Sequence, residues 1–407
     1  TAEDMDDIVV SVPLDAGEIS VEVTPGNDRN FSVIALVADD DTGLVRSYKG
    51  ETIADLGAGE EVSLSILMRI YETAIIIPDY GNNRLVKIND ITGSGWEEYE
   101  GPTGWDANFQ PFDVDLDSEG KIYIANNNST ATYSRIIKID DISGSNLTQF
   151  EDKGAGISAV GVDRSNNYIY YATVADLTAD PMISSGLYRA ATDGVEDTAF
   201  NDSINTLFQQ DIFEQYFEGN DDFETDPDVY EGAFNICGID IDESGNMYLA
   251  VVCYNNDQAE VTTLIIGYNP SLEGQGFVGA YLDISDTGTL FPLLGITDIL
   301  IKLPHIYIAN SGGTAGYDIV RVNTSENALF EISGNLGDNV SESREFYGPW
   351  RFVGEFNEKI LILDHDGASN NKIISLDVSD DNSSIVVSGW QTYGTTGSGE
   401  GQFQFYQ

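Results

Sequence analysis

Apolar and polar residues follow a recurring order along most of the chain. An apolar strand precedes a turn of Asp, Ser, Gly or Asn, and a second apolar strand then ends in Asp or Asn. A polar loop and a third strand that starts near a basic residue complete the unit. The copies at 75–88, 112–139, 236–250 and 359–376 show this order. Glycine in the turn supplies the positive φ of a tight hairpin, so each copy predicts a small antiparallel sheet.

Six copies can be placed along the chain, and each copy needs neighbours. They lie near 71–101, 110–154, 155–200, 233–283, 289–337 and 346–399. A small sheet with two apolar faces can bury them only against adjacent copies, so the units must stack or close into a ring. We expect residues 402–406 to act as a spare strand that completes the first sheet, because closure removes exposed edges.

These copies resemble the NHL family of β-propellers, most specifically at 79–87, 113–126 and 397–403. The resemblance implies an all-β protein with a six-bladed, NHL-like β-propeller over residues 69–407, closed by the C-terminal strand. Residues 1–68 have a different texture of short strands and Pro-Gly, Asp-Thr-Gly and Gly-Ala-Gly turns. This texture resembles an Ig-like or transthyretin-like β-sandwich of the kind that precedes repeat domains in bacterial or archaeal surface proteins.

One insertion, residues 201–232, interrupts the repeats. Asp202 or Ser203 is the predicted helix cap, and Ile204 begins a set of apolar residues near helical spacing that reaches residue 217. An acidic loop follows at 220–228. We favour a helix packed on the propeller over a docking element for a partner, although loops on a rigid scaffold often carry function.

The charge balance limits the range of partners. Eighteen Lys and Arg against 69 Asp and Glu give 18 − 69 = −51. Such a surface repels phosphate backbones, which excludes nucleic acid, and it disfavours anionic membranes. The acids either keep the surface hydrated or bind cations. The candidate calcium ligands are the carboxylates of the insertion, with a solvated acidic loop as the alternative: Asp221, Asp222, Glu224, Asp226 and Asp228.

Candidates for catalysis are few. Related propellers include lyases and lactonases with a metal in the channel, but His305 and His365 are expected near opposite faces of the disc, too far apart to share one ion. No Gly-x-Ser-x-Gly elbow is present. Cys237 and Cys253 share the same parity on two strands of one hairpin, which permits a disulfide; two buried thiols are the alternative.

The leading functional hypothesis is therefore a non-catalytic protein. We expect an extracellular or cell-surface protein, mature after signal-peptide removal and without a transmembrane segment. Its acidic propeller would bind other proteins or copies of itself, in a filament or surface layer. Two alternatives stay open. One is a metal-dependent lyase or lactonase in the channel. The other is a carbohydrate-binding propeller using rim tryptophans, against packing between blades: Trp96, Trp105, Trp350 and Trp390.

Overall fold

The computed structural model divides the chain into two compact units, Thr1–Thr73 and Ala74–Gln407. Statements below concern the residues that the structure describes: 20–38, 45–64, 66, 69–71, 74–128, 133–150, 152–179, 183–207, 232–242, 244–255, 260–269, 296–302, 305–310, 318–323, 331–335, 346, 348–356, 359–365, 370–381 and 384–405. The first unit contains one antiparallel sheet in the order β1-β2-β3: β1 (Gly26–Ala38), β2 (Val45–Leu56) and β3 (Arg69–Tyr71).

A sandwich needs a second sheet facing the first. Residues 20–25 and 61–64 are described without strand structure. Residues 1–19 lie outside the described residues. The Ig-like character of residues 1–68 and the boundary at 68–69 therefore stay predictions.

The second unit contains six antiparallel sheets among its described residues. Each sheet is a meander whose strands pair in chain order. The strands are β4 (Ile75–Asp79), β5 (Arg84–Ile88) and β6 (Glu97–Tyr99); β7 (Pro111–Leu116), β8 (Ile122–Asn126), β9 (Arg135–Ile139) and β10 (Thr148–Gln149); β11 (Ile157–Asp163), β12 (Tyr168–Thr173) and β13 (Leu187–Ala191); β14 (Gly232–Ile241), β15 (Met247–Asn255) and β16 (Glu260–Tyr268); β17 (Ile296–Lys302), β18 (His305–Asn310), β19 (Asp318–Asn323) and β20 (Glu331–Asn335); β21 (Pro349–Phe356), β22 (Lys359–Asp364), β23 (Lys372–Asp381) and β24 (Ser384–Tyr393).

The first strands of these sheets form a closed ring. Each first strand contacts the first strand of the next sheet, in the order β4, β7, β11, β14, β17 and β21, and β21 contacts β4. We call these six the inner strands and the space that they enclose the channel. Six clusters of buried side chains lie between successive sheets. The all-β propeller fold is confirmed, whereas the blade count of the whole chain stays a prediction.

Local turns build the hairpins as the sequence indicates. Gly120 has φ 76° and donates its N–H to the carbonyl of Asp117, while the carboxylate of Asp117 accepts the N–H groups of Glu119 and Lys121. The turn from Asp242 to Asn246 repeats this arrangement. An acidic side chain thus satisfies backbone donors that the turn leaves without strand partners.

The insertion begins with a helix, but its start differs from the prediction. Helix α1 spans Thr198–Leu207. Asp197 caps it by accepting the N–H of Phe200 on its side chain, so Asp202 and Ser203 lie inside the helix. Ile204 is buried against the cluster between the third and fourth sheets. Residues 208–231 lie outside the described part of the chain.

The C-terminal residues hold the ring at the first sheet without extending that sheet. Strand β26 (Gln402–Phe403) pairs in parallel with β25 (Thr395–Thr396), not with β4, β5 or β6. Gln404 donates its N–H to Asp79 and accepts the N–H of Gly81, and a Cβ at Gly81 would lie 2.7 Å from the Gln404 carbonyl oxygen. Phe403 is fully buried between the sixth and first sheets. The tail therefore packs across the closure instead of adding the predicted strand.

Among the described residues, no helix is long and apolar enough to cross a membrane.

Candidate functional site

Five of the six inner strands carry a β-bulge, at the second residue of β7, β11, β17 and β21 and at the sixth residue of the longer β14. The bulged residues are Phe112, Ser158, Cys237, Thr297 and Trp350. A bulge redirects one side chain out of the regular alternation, and bulges are frequent beside active sites. All five bulged residues line one cavity of about 190 Å³ at the mouth of the channel. The repeat itself therefore builds this cavity, with one residue from each of five successive sheets.

The cavity has a polar wall and an aromatic wall. Ser158, Cys237 and Thr297 come from three consecutive sheets and supply two hydroxyl groups and a thiol. On the other side the ring centroids of Phe112 and Trp350 lie 5.3 Å apart in an edge-to-face contact. An apolar enclosure with a few polar groups is typical of small-molecule sites.

Arg351, the residue after one bulge, occupies the centre of the ring. Its side chain is only 2% exposed. Nη1 donates to the carbonyl of Cys237 at 2.8 Å and lies 3.3 Å from Asp298 Oδ1, while Nη2 donates to the carbonyl of Ser158 at 2.5 Å. The guanidinium also stacks 4.5 Å from the centroid of the Phe112 ring. One cation on the sixth sheet therefore contacts strands of four other sheets around the channel.

The guanidinium of Arg351 keeps donor capacity. Its Nε is buried and has no hydrogen-bond partner among the described residues. An arginine has five N–H donors. The contacts to Cys237, Ser158 and Asp298 leave the Nε–H and a second Nη2–H without an acceptor. Arg351 also lines the cavity, and a guanidinium N–H without a protein partner is suited to an oxygen acceptor of a ligand.

Two buried carboxylates face Arg351. Asp298 accepts the N–H of Phe352, and Asp113 accepts that of Val160, so each carboxylate also ties its own inner strand to the next. Asp113 Oδ2 lies 3.9 Å from Arg351 Nη1. Burial raises the pKa of both carboxyls, and the charge of Arg351 opposes that rise. Two acids thus share one cation in a poorly hydrated space, which disfavours ionisation of both at once.

A second layer of carboxylates lies deeper in the channel. Asp115 and Asp240 each accept the N–H of the next residue and one N–H of the neighbouring inner strand. Arg164 pairs with Asp115 at 2.6 Å. Burial raises the pKa of Asp240 to about 7, although its two hydrogen bonds to backbone N–H groups oppose the rise.

A glycine leaves room for this arrangement. Gly238 follows the bulge at Cys237, and a Cβ there would lie 2.6 Å from Asp298 Oδ1 and 2.9 Å from the backbone nitrogen of Ile299. Real Cβ atoms do not approach other atoms so closely. Any larger residue would displace the carboxylate that binds Arg351.

The residues predicted from the sequence are distributed differently. No disulfide joins Cys237 and Cys253: the bulge shifts the register, so Cys253 faces Phe234. Asp221, Asp222, Glu224, Asp226 and Asp228 lie outside the described residues, so the calcium site stays a prediction. Of the four tryptophans only Trp350 lines the cavity. Trp96 and Trp390 contact Phe403 and Phe346, and Trp105 contacts Tyr133.

The residues at the channel do not fit a divalent cation. His365 lies beside Trp350 at the mouth, with ring centroids 5.1 Å apart, whereas His305 starts β18 at the far end of its sheet. Within the described ranges, no three His, Cys, Asp or Glu side chains converge as a metal site requires. The position between Asp113 and Asp298 holds the guanidinium of Arg351.

Comparisons with known proteins give structural similarity only. No protein-family model matches the chain, and no curated protein does. A protein from Lactobacillus plantarum is 11% identical, with a TM-score of 0.45 and coverage of 78% of this chain and 82% of its own. The periplasmic gluconolactonase of Pseudomonas aeruginosa is 11% identical, with a TM-score of 0.44 and coverage of 81% and 97%. An α-L-arabinofuranosidase from Clostridium thermocellum is 10% identical, with a TM-score of 0.34 and coverage of 87% and 92%.

The leading functional hypothesis from the sequence is wrong by these comparisons. It held that the propeller is a non-catalytic binding or self-assembling protein, whereas the similar solved structures include enzymes. The NHL assignment and the cell-surface location stay predictions.

Proposed function

We propose that the cavity at the channel mouth is the active site of an enzyme that opens or cleaves a small carbonyl compound, such as a lactone or an ester. The observation that carries this proposal is the unpartnered Nε–H of Arg351, a residue that lines a cavity together with five bulged residues. A buried cation held rigidly by backbone carbonyls is preorganised to accept a developing oxyanion.

The size and charge of the site select the ligand. A cavity of about 190 Å³ is smaller than typical drug-sized pockets of about 300–1,000 Å³, so the ligand is a small molecule. Asp113 and Asp298 already place two acidic groups at the one cation. A neutral carbonyl therefore suits the site better than an anion, which the carboxylates and the net charge of −51 would repel.

Each part of the cavity has a role in this proposal. Arg351 binds the carbonyl oxygen through its Nε–H and Nη2–H edge and stabilises negative charge there. Trp350 and Phe112 cover the apolar part of the substrate and exclude water. Asp298 and the carbonyls of Ser158 and Cys237 hold the guanidinium in place. Because the residues around Arg351 do not fit a metal ion, no step is assigned to one.

The experiment is a turnover assay of the full chain with δ-valerolactone and p-nitrophenyl acetate, before and after dialysis against EDTA. Trp350→Ala removes part of the aromatic wall, and we expect it to reduce turnover. Val195→Ala is the matched control, because Val195 is 65% exposed and does not line the cavity. Turnover that survives chelation and falls in Trp350→Ala supports the proposal. No turnover, or equal rates in both variants, would contradict it.

The aromatic wall also favours a second candidate, binding of a sugar without chemistry. Tyr80 extends the wall, with its ring centroid 5.7 Å from that of Phe112, and aromatic faces are common sugar platforms. Titration of the full chain with monosaccharides, followed by tryptophan fluorescence, tests this candidate. Saturable binding that is lost in Trp350→Ala, without turnover of any ester or lactone, would favour it over the enzyme.

A further inference from the structure

The two cysteines of the chain differ in a way that the bulge explains. Cys253 is fully buried on β15. Cys237 is the bulged residue of β14, is half-buried and lines the cavity. Without the bulge the two thiols would share a face of the hairpin. The bulge instead places one thiol in the site and leaves the other in the core.

The surroundings of the Cys237 sulfur are polar and fixed. Asn235 accepts the N–H of Ala175 and the hydroxyl of Ser185 on its side-chain oxygen. Its Nδ2 therefore points the other way and donates to Cys237 Sγ at 3.3 Å. An N–H donor at the sulfur stabilises negative charge there, and the thiolate is the reactive form of cysteine. Arg351 is bonded to the carbonyl of the same residue.

The other two groups of the polar wall are already engaged. The Ser158 hydroxyl donates to the carbonyl of Ala172. The Thr297 hydroxyl lies within hydrogen-bond distance of two backbone carbonyls. The sulfur of Cys237 lies 3.7 Å from the carbonyl oxygen of Asn235. Cysteine is also the side chain that attacks carbonyls with least need of a general base.

We propose that Cys237 is the covalent nucleophile of this site, an inference that rests on the proposed carbonyl chemistry. The thiolate attacks the carbonyl carbon while Arg351 holds the carbonyl oxygen. A C–S bond forms, the ester C–O bond breaks, and the leaving alkoxide takes the proton that the thiol has released to water. Water then attacks the thioester, the C–S bond breaks, and the acid and the thiol are released. The sum is hydrolysis, with no reactant other than water.

The first test measures thiol reactivity directly. The folded full chain is treated with iodoacetamide, and the sites are quantified by peptide mass mapping. We expect Cys237 to be alkylated at least ~tenfold faster than Cys253, because an accessible thiol with a polar donor reacts and a buried one is inert. The variant Cys253→Ala should keep this rate and is the matched control. Equal rates at the two cysteines, or slower reaction at Cys237, would overturn the inference.

The second test separates the nucleophile from the proposed function. After acid quenching of a reaction with p-nitrophenyl acetate, we expect an acetyl group on Cys237 in the wild type and in Cys253→Ala, and none in Cys237→Ala together with loss of turnover. Turnover that persists in Cys237→Ala but falls in Trp350→Ala refutes the nucleophile and leaves the proposed function. An acetyl adduct without turnover refutes the proposed hydrolysis and leaves the thiol assignment. Neither adduct nor turnover refutes both.

Discussion

Replacement of Arg351 by methionine should destabilise the propeller by an amount that depends on pH. The substitution removes the cation shared by Asp113 and Asp298 and its bonds to two backbone carbonyls. Breaking a buried ion pair by removal of one partner costs about 3–5 kcal/mol, mostly because the remaining charge stays buried without compensation. Methionine retains much of the volume, so the loss is mainly electrostatic.

The sign of the pH dependence follows from the direction of the pKa shifts. Burial already raises the pKa of Asp113 and Asp298 above the unfolded value, and loss of Arg351 raises both further. A carboxyl with a raised pKa in the folded state stabilises the fold at low pH, and this contribution is lost as the pH rises through the folded pKa. Where the wild type ionises a carboxyl that the variant keeps protonated, the difference in unfolding free energy between the two proteins grows by about 1.4 kcal/mol per pH unit. Because the pKa of Asp298 is already about 8 in the wild type, this difference opens above that pH, and we expect the variant to lose ~1.4 kcal/mol more at pH 9 than at pH 6.

Urea unfolding followed by tryptophan fluorescence measures this difference for the propeller unit, Ala74–Gln407. All four tryptophans, at 96, 105, 350 and 390, lie in the second unit, so the signal reports on the propeller. The double variant Arg351→Met with Asp298→Asn should lack the part of the loss that grows above pH 8, because the carboxyl that titrates there is gone. An equal loss of Arg351→Met at pH 6 and pH 9, or the same growth of the loss in the double variant, would refute the electrostatic account.

Three further predictions concern the channel, the ring closure and the helix. Asp240→Asn should reduce the fall in stability between pH 5 and pH 8, since burial raises the pKa of Asp240 to about 7 and the stabilising protonated form is lost through that range. A urea midpoint that falls with pH as steeply in the variant as in the wild type would contradict this. Phe403→Ala should cost about 3–5 kcal/mol in the same assay, because this ring is fully buried at the closure, and a loss below about 1 kcal/mol would show that the tail is not needed. Asp197→Ala should cost about 1 kcal/mol through loss of the helix cap, whereas the exposed Asp202 should tolerate alanine; the reverse order would restore the predicted cap at Asp202.

The repeat and its hairpins could be predicted because they depend on local chemistry. The turn at 117–121 needs one glycine with a positive φ and one aspartate to accept backbone N–H groups. Both residues are adjacent in sequence, so the pattern is visible without a structure. The closed ring follows from the apolar faces of the sheets, which only neighbouring sheets can cover. Helix α1 begins earlier than predicted because Asp197, and not Asp202 or Ser203, provides its cap.

The site was missed because it depends on a feature that the alternation rule does not contain. The expected parity of Cys237 and Cys253 assumed an unbroken strand, and a single bulge cancels it. In five of the copies the bulged residue directly precedes the residue at which regular strand pairing resumes. An alignment of the repeats on these strands would have placed the five bulged residues at one position. The C-terminal prediction failed for a related reason: the apolar pattern of 402–406 marks burial, and burial does not specify pairing with the first sheet.

The bulge assigns neighbouring residues to different tasks. The bulged side chains face the cavity, whereas the residues that follow them, Asp113, Asp298 and Arg351, bind across to other inner strands. The ring therefore depends on the second set, and the chemistry of the cavity depends on the first. The bulged residues and the residues that bind across the ring are neighbours in sequence but have separate roles. The bulged residues can therefore differ in chemistry from sheet to sheet while the charged centre stays the same. Arg351 belongs to both sets, because its guanidinium binds the carbonyls of two other inner strands and the residue also lines the cavity.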